Sequence, residues 1–302
     1  RSVNSRSPYS ALLNESNWNE VISNITNYPF RISEIQSLNK EIRLSSVSFK
    51  YNIEGKERYF NGLKETCLTT GEYLIASNQT YCEVDIQDSG MLDLGLCVDI
   101  NLDYLSQGLS TLLEPNQIIS KANKYDYFIE DDFFMKYKTN KEFHRYITSL
   151  FLSIKHHQIE PCKELEFEFI KQFLFHQTPF LLAYSKVPAI KKSTRNELFD
   201  KMMMAKNMIQ DSVYSNITIP EICKALFLSE FRFFHLFKET FQVSPHKYLL
   251  QIKLNEAISL YRTNLYNWTE IANKLQFADV QSFSKLFKRH FRMSPTAYLT
   301  YR

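Results

Sequence analysis

Two stretches of the chain, fifty residues apart, carry nearly the same sequence. The first reads FFHLFKETFQVSPHKYL over residues 233–249, and the second reads FSKLFKRHFRMSPTAYL over residues 283–299. They align without a gap, and the residues of the first copy that recur are Phe233, Leu236, Phe237, Lys238, Phe241, Ser244, Pro245, Tyr248 and Leu249. A solenoid needs at least three repeats to bury a continuous core, so two copies predict a pair of similar subdomains.

The spacing of the shared residues predicts one helix in each copy, with a buried face and an exposed face. Phe233, Leu236 and Phe237 are predicted to face inward in the first copy, as are Phe283, Leu286 and Phe287 in the second. The outward positions differ and are Phe231, Phe234, His235 and Lys238 in the first copy, and Gln281, Ser284, Lys285 and Lys288 in the second. Each helix follows a short helix and a tight turn, which is the helix-turn-helix arrangement. A helix of this width fits the major groove of B-DNA.

The chain from residue 194 onward is predicted to form seven helices, near 195–213, 219–226, 230–240, 245–263, 269–275, 280–290 and 295–301. Capping boxes, in which an N-cap side chain and an acid three residues later bond each other's backbone, are predicted at Thr194/Glu197, Thr218/Glu221 and Asn267/Glu270. The Ser-Pro pairs at 244–245 and 294–295 are typical of helix starts.

Residues 195–302 resemble the DNA-binding domain of the AraC/XylS family of bacterial transcription regulators. The resemblance is carried by IPEICKALFLSEFRFFHLFKETFQVSPHKYLLQIKLNEAISLY (219–261) and by IANKLQFADVQSFSKLFKRHFRMSPTAYL (271–299). In that family two helix-turn-helix subdomains are joined by a long helix. The resemblance implies a sequence-specific regulator of transcription that binds promoter DNA as a double strand. It also implies RNA polymerase as a further partner, and it favours an activator, although the sequence itself leaves activation and repression open.

The family's base-reading positions map onto Phe231, Phe234 and His235 in the first recognition helix, and onto Val280, Gln281, Ser284 and Lys285 in the second. Phenylalanine rings contact thymine methyl groups but form no hydrogen bonds with base edges, so the second helix is the better candidate for polar readout. Packing of one of the two rings against a neighbouring helix is the alternative. Lys238, Lys288 and Arg289 are predicted to bind phosphate groups.

The chain departs from the family pattern at three turn positions. The family usually has Gly where this chain has Gln242, Gln276 and Arg292. Gly is favoured after a helix end because it adopts a positive φ at little cost. Its absence predicts turns of a slightly different shape.

Short alternating segments between residues 45 and 100 predict strands. In SSVSFKYN, Val47, Phe49 and Tyr51 share one face, while Asn61-Gly62 predicts a hairpin turn. Further strands are predicted near 72–76, 81–86 and 92–100. This region resembles, more loosely, the family's cupin-like sensor barrel. Phe49, Tyr51, Tyr59, Phe60 and Tyr73 are its candidate effector-pocket residues, with core packing as the alternative for each.

Helical periodicity follows at residues 141–157 and 163–177, and the second segment has a wide apolar face. That face is predicted either to pack on the barrel or to form a homodimer interface. The expected fold class is a multidomain α+β protein. A cupin-like β-barrel with a helical dimerisation segment (1–178) precedes a linker (179–193) and an all-α double helix-turn-helix domain (194–302).

Composition bounds the class of protein. The chain has 302 residues and a formal net charge of +3. Residues 195–302 carry 15 Lys+Arg against 9 Asp+Glu, whereas the remainder carries 21 against 24, which places the basic excess in the predicted DNA-binding part. Five scattered cysteines fit a reducing compartment. Neither a signal peptide nor an apolar run of transmembrane length is recognisable, so a bacterial cytoplasmic location without membrane contact is expected.

Two other classes of function were weighed. A cupin-type metalloenzyme fused to a DNA-binding tail would need several imidazole ligands in the barrel, but the first histidine is His144. We therefore expect no enzyme activity, no catalytic residue, no metal and no cofactor. An interaction protein with a degenerate repeat is the second alternative, suggested by the apolar Phe231 and Phe234 in the first copy. The effector, whether a sugar, an aromatic acid, a fatty acid or none, is left open by the sequence.

Overall fold

The computed structural model describes residues 10–13, 29–44, 46–62, 64–77, 80–113, 134–215 and 217–300. The chain divides into two compact units, residues 1–182 and 183–302. Among the described residues, no helix is long and apolar enough to cross a membrane.

The described strands of the N-terminal unit form two sheets. Their bounds are β1 (Ser10–Leu13), β2 (Phe30–Ile35), β3 (Leu38–Arg43), β4 (Val47–Glu54), β5 (Lys56–Asn61), β6 (Lys64–Thr69), β7 (Glu72–Ala76), β8 (Tyr81–Ile86), β9 (Asp93–Ile100) and β10 (Phe134–Lys138). The larger sheet has the order β1-β2-β9-β4-β7-β10, and the smaller has the order β3-β8-β5-β6. All pairings in both sheets are antiparallel except the parallel pair β1–β2.

The space between the two sheets holds an apolar core. Its buried residues come from both sheets and include Leu74 and Ala76 on β7, Val84 and Ile86 on β8, and Leu68 on β6. The cupin-like architecture is therefore confirmed, but the described strands pair into two separate sheets. The predicted barrel is an open sandwich.

The outer face of the larger sheet is covered by helices α2 (Lys141–Lys155) and α3 (Lys163–Ser185), which follow α1 (Leu102–Leu113). Phe49 on β4 lies between the two helices, with its ring centroid 6.1 Å from that of Phe143 on α2 and 5.2 Å from that of Phe169 on α3. Phe173, one turn further along α3, is 5.8 Å away. The wide apolar face of α3 thus packs on the sheet, which was one of the two predicted alternatives.

Helix α3 is longer than the sequence indicated. It continues through Pro179 to Ser185, into the segment predicted as a linker. A proline within a helix removes one backbone hydrogen bond, but burial of Leu181 and Tyr184 beyond it stabilises the continued helix. The non-helical connection before the next helix is therefore shorter, at residues 186–191.

The C-terminal unit is helical throughout its described part. It contains α4 (Lys192–Asp211), α5 (Ile219–Ala225), α6 (Glu230–Phe241), α7 (Pro245–Arg262), α8 (Trp268–Lys274), α9 (Val280–Phe291) and α10 (Pro295–Thr300). The seven predicted helices are confirmed, and a 3₁₀ turn at Ser212–Tyr214 extends the first of them. One predicted capping box is wrong: α4 begins after Lys191, so Thr194 lies inside the helix.

Candidate nucleic-acid interface

The short helix of each repeat begins with the predicted capping box. The backbone N–H of Thr218 donates to Glu221 Oε2 at 2.7 Å at the start of α5. At the start of α8, the N–H of Asn267 donates to Glu270 Oε2 at 2.8 Å, and Asn267 Oδ1 accepts from the N–H of Glu270 at 3.0 Å. Reciprocal bonds of this kind satisfy backbone donors that a helix start leaves unpaired.

The turn after each short helix begins with the same backbone conformation in both repeats. Phe227 and Gln276 hold the left-handed position, with φ of 53° and 56°. In both turns the next residue donates its N–H to the carbonyl five residues earlier, Leu228 to Cys223 (3.0 Å) and Phe277 to Ala272 (2.9 Å). The second turn is one residue longer, because the left-handed residues are 49 positions apart whereas the N-caps Ser229 and Asp279 are 50 positions apart.

The recognition helices α6 and α9 start with side-chain caps. Ser229 Oγ accepts from the N–H of Arg232 at 3.3 Å, and Asp279 Oδ1 accepts from the N–H of Ser282 at 2.6 Å. The hydrogen bonds from the backbone and the hydroxyl of Ser282 lower the pKa of Asp279. An ionised carboxylate at this position also interacts favourably with the positive end of the helix dipole.

The inward faces of the two recognition helices are built from the repeated residues. Phe233, Leu236 and Phe237 of α6 are buried, as are Phe283 and Phe287 of α9. Leu286 of α9 is half-buried. These apolar faces fix the rotation of each helix about its axis, which determines the residues that remain outside.

The outward face of α6 is mainly aromatic. Phe231 is 85% exposed, and His235 is also exposed. Phe234 is half-buried, with its ring centroid 5.3 Å from that of His246 at the start of α7. The predicted alternative, packing of one phenylalanine against a neighbouring helix, therefore applies to Phe234.

The outward face of α9 is polar. Gln281 and Lys285 are exposed, whereas Val280 and Ser284 are half-buried. Because each outward residue of α9 lies fifty positions after its counterpart in α6, Gln281 replaces Phe231, and Lys285 replaces His235.

Charge differs between the two helices. The exposed basic residues of α9 include Lys285, Lys288 and Arg289, and its sequence VQSFSKLFKRHF contains no acid. In α6, the exposed charges are both basic and acidic: Glu230, Arg232, Lys238 and Glu239. The second recognition helix is thus the more suitable for phosphate contact.

A cavity of about 320 Å³ lies between the two sheets of the N-terminal unit. Its apolar lining includes Ile35, Leu74 and Phe134, and its polar lining includes Arg31 and Lys50. Arg31 is paired with Asp99, whose Oδ1 accepts from Arg31 Nη2 at 2.7 Å. A cavity of this size with mixed lining suits a small molecule that has one polar end.

Lys50 belongs to a buried polar network beside this cavity. Its Nζ lies 2.7 Å from Ser33 Oγ and 3.1 Å from Glu57 Oε1. Tyr59 donates its hydroxyl hydrogen bond to the other oxygen of Glu57. The backbone of Gly95 lies so close that a Cβ there would be 2.3 Å from Lys50 Nζ, so this position accommodates only glycine without displacing the lysine.

A second buried acid, Asp93, adjoins the network. Its Oδ1 accepts from Asn52 Nδ2 at 3.2 Å. Burial, together with repulsion from Glu57, raises the pKa of Asp93 to about 8. In the described part of the chain, no group of three or more His, Cys, Asp or Glu residues could hold a metal ion.

Comparison with known proteins supports the interpretation of the repeats. A helix-turn-helix domain model matches residues 222–301, which include the end of α5 and all of α6 to α10. The "Probable transcriptional regulator LumQ" of Photobacterium leiognathi is 24% identical over 226 residues, which cover 72% of this chain and 84% of LumQ. The raffinose operon transcriptional regulatory protein RafR of Pediococcus pentosaceus is 30% identical over 111 residues, or 37% of this chain and 40% of RafR.

These similarities support a helix-turn-helix domain of the AraC/XylS type in residues 222–301 and a likeness to transcription regulators. Among solved structures, ToxT from Vibrio cholerae is similar over 90% of this chain and 98% of its own, with 14% identity and a TM-score of 0.36.

At the three positions where the family pattern has glycine, this chain adopts the backbone conformation that glycine favours. Gln242, Gln276 and Arg292 have φ of 58°, 56° and 63°, all in the left-handed region. Gln242 is held by its own side chain, whose Nε2 donates to the carbonyl of Glu239 at 2.6 Å.

The aromatic candidates for an effector pocket separate into two groups. Tyr59 is among the residues lining the cavity, and Phe60 is not. Phe49 borders the cavity, but its ring lies on the helix side of the larger sheet, as do the rings of Tyr51 and Tyr73. There, Gln177 of α3 donates to the hydroxyl of Tyr73 at 2.6 Å. Side chains of a strand alternate between faces, and the sequence does not indicate which face borders the cavity.

The polar residues that border the cavity were not predicted. Ser33, Ser48 and Lys50 line it, although none of them was a candidate site residue. One sequence signal indicated that the larger sheet is covered on both faces. Strand β7 contains the run YLIA, which is apolar on both faces, as is typical of a strand buried on both sides.

Proposed function

We propose that this AraC/XylS regulator reads a two-part promoter site, with α6 and α9 in successive major-groove faces about 34 Å apart along the duplex. The observation that carries the proposal is the pairing of a shared framework with divergent outward residues. The N-cap positions and buried faces of the two repeats match, while Phe231, Phe234 and His235 differ from Gln281, Ser284 and Lys285. The two helix-turn-helix units, which share one architecture, then recognise two different DNA sequences.

Within this proposal, base reading and phosphate binding belong to different residues. Gln281 and Lys285 are exposed near the start of α9, the end of a recognition helix that contacts base edges. Lys238, Lys288 and Arg289 lie further along the helices, where they contact phosphate groups. RNA polymerase at the same promoter is a proposed partner on the ground of the resemblance to AraC/XylS regulators alone.

We further propose that the N-terminal unit forms a homodimer and binds a small effector in its cavity. Two aromatic residues of α3, Phe167 and Phe175, remain 39% and 65% exposed although the rest of its apolar face packs on the sheet. They are eight residues apart and therefore lie on one side of the helix. Closed two-fold pairing is the commonest form of oligomer.

The experiment is selection of duplexes from a random library with the full chain, followed by hydroxyl-radical protection on the selected duplex. The expected result is a consensus with two protected segments one helical turn apart. A scrambled duplex of equal length is the control. Equal affinity for the selected and scrambled duplexes would contradict sequence-specific binding.

A further inference from the structure

Two phenylalanine side chains stand in solvent at the start of the first recognition helix. Phe227, in the turn, is 89% exposed, and Phe231, the second residue of α6, is 85% exposed. The buried face of α6 is already complete with Phe233, Leu236 and Phe237, so neither ring is needed for that core. Two such exposed rings, one in the turn and one at the start of the recognition helix, present apolar surface that is available for binding.

The second repeat has amide side chains at the equivalent positions. Gln276 holds the position of Phe227, and its Nε2 donates to the carbonyl of Tyr214 at 3.1 Å. Gln281 holds the position of Phe231. The turn position thus serves the fold in the second repeat, whereas in the first it presents a ring to solvent.

The backbone at Phe227 adds a separate argument. A bulky residue with φ of 53° is an outlier, because its Cβ crowds the backbone in the left-handed region. Glycine would adopt this conformation without strain. Strain of this kind, retained at a solvent-exposed ring, points to a role in binding.

The chemistry of the major groove identifies the occupant. Among the four base pairs, only those with thymine present an apolar group there, the C5 methyl group. The exposed charges of α6 nearly cancel, with Glu230 and Glu239 opposing Arg232 and Lys238. A helix with little net charge and an aromatic tip gains most of its affinity from apolar contact.

We propose that the first helix-turn-helix reads thymine methyl groups, with Phe231 as the main contact and Phe227 beside it. This inference rests on the proposed DNA-binding function and specifies the chemistry of one half of the site. The same surface makes the first half-site rich in A·T pairs and weakly dependent on salt. The second half-site, read by α9, is polar and strongly dependent on salt.

The test replaces thymine by uracil, which removes the methyl group and leaves base pairing intact. The full chain is titrated with the selected duplex and with copies that carry uracil in either half. Each contacted methyl group lost from the first half is expected to weaken binding roughly three- to fivefold, the effect of one buried methylene-sized group.

Two variants make the result specific. Phe231→Gln introduces the residue of the second repeat at an exposed position, and it is expected to lose most of the difference in affinity between thymine and uracil duplexes. Gln281→Ala is the matched control, and it should retain the uracil effect in the first half. Phe227→Gly removes a ring while relieving backbone strain, so it should weaken binding to the thymine duplex without lowering the melting temperature.

The outcomes separate the inference from the function on which it rests. A specific consensus whose first half lacks thymine, or is unaffected by uracil, overturns the inference and leaves the regulator intact. If Phe231→Gln still binds the uracil duplex more weakly than the thymine duplex by the wild-type factor, the inference is also overturned. The Phe231 ring would then make no contact with the methyl groups. Selection that yields no consensus contradicts the proposed function as well.

Discussion

Phe231 and Gln281 occupy the same position, the second residue of a recognition helix, in two repeats whose recognition helices begin and end at equivalent residues. Both side chains are exposed. The buried residues of the two helices face the same packing problem and are conserved between the copies, whereas the exposed residues are free to differ. The buried residues of each recognition helix therefore hold the helix in place, and its exposed residues determine the DNA sequence preference.

Lys285 and Lys288 of α9 are expected to behave differently when replaced. Lys285→Ala should cost about 1–3 kcal/mol of binding free energy on the selected duplex and relax the preference at one base pair. Lys288→Ala should weaken binding to selected and scrambled duplexes alike and reduce the salt slope by about one. Binding isotherms on both duplexes at several salt concentrations measure the difference. Equal losses on the two duplexes for Lys285→Ala would rule out base reading by this residue.

The fragment 183–302 should fold and bind DNA by itself, and it should be more stable than 194–302. The shorter fragment lacks Tyr184, whose hydroxyl donates to Asn196 at 2.5 Å and whose ring lies 5.3 Å from that of Phe199. Loss of this aromatic contact should cost about 1–3 kcal/mol of unfolding free energy. Urea unfolding followed by circular dichroism measures it, with Tyr184→Ala in the longer fragment as the matched variant. Equal stability of the two fragments would contradict a role for Tyr184.

The exposed aromatic residues of α3 should support a dimer of the full chain. Phe175→Glu should raise the dimer dissociation constant about 10- to 100-fold, because a buried aromatic contributes roughly 1.5–3 kcal/mol. Met91→Glu changes another exposed apolar residue, 68% accessible and outside the helices, and should have no such effect. Sedimentation velocity at tens of micromolar distinguishes the species. A monomeric wild-type chain under these conditions would refute the interface.

Asp93 should make the N-terminal unit less stable as pH rises. Its pKa of about 8 in the fold exceeds the ordinary value of 3.8, so the folded state binds an additional proton between these values. The free energy of unfolding should therefore fall from pH 5 to pH 8, and Asp93→Asn should flatten the fall. Urea unfolding, with proteolytic cleavage within residues 1–182 as the readout, measures this free energy at each pH. Asp88→Asn, at an exposed position, is the control. A constant difference between Asp93→Asn and the wild type at every pH would contradict this origin.

At position 242, glycine should give a more stable protein than alanine. Both substitutions remove the side-chain hydrogen bond to Glu239, but only alanine keeps a Cβ at φ of 58°. The glycine variant is expected to be more stable than the alanine variant by about 1 kcal/mol. Thermal unfolding of the two variants isolates the backbone contribution. Alanine equal to glycine would mean that the left-handed turn relaxes to another shape.

Local sequence signals predicted the C-terminal unit well. Ser-Pro pairs, capping boxes and the period of the phenylalanines fix helix starts within a few residues, because these signals act between near neighbours in the chain. The exception, Thr194, has the right spacing to Glu197, but the preceding residues Lys192 and Ser193 already belong to the helix.

The N-terminal unit was less predictable because its structure depends on distant pairing. Strand β10 lies after the helical segment α1 and pairs with β7, with Tyr137 opposite Tyr73. Nothing in the sequence near Phe134–Lys138 indicates that partner. Strands β2 and β3 were likewise missed, since their polar residues Arg31, Asn39 and Lys40 hide a weak alternation.

Strand β4 has no solvent face, and this restricts how it can pair during folding. Phe49 points towards α2 and α3, while its neighbour Lys50 points towards Ser33 and Glu57. A shift of one residue would exchange the two sets, placing an ammonium group among aromatic rings and a phenyl ring against a carboxylate. A one-residue shift of this strand is therefore unfavourable on both of its faces. The sequence of β4 thus selects the correct strand register when the two sheets assemble.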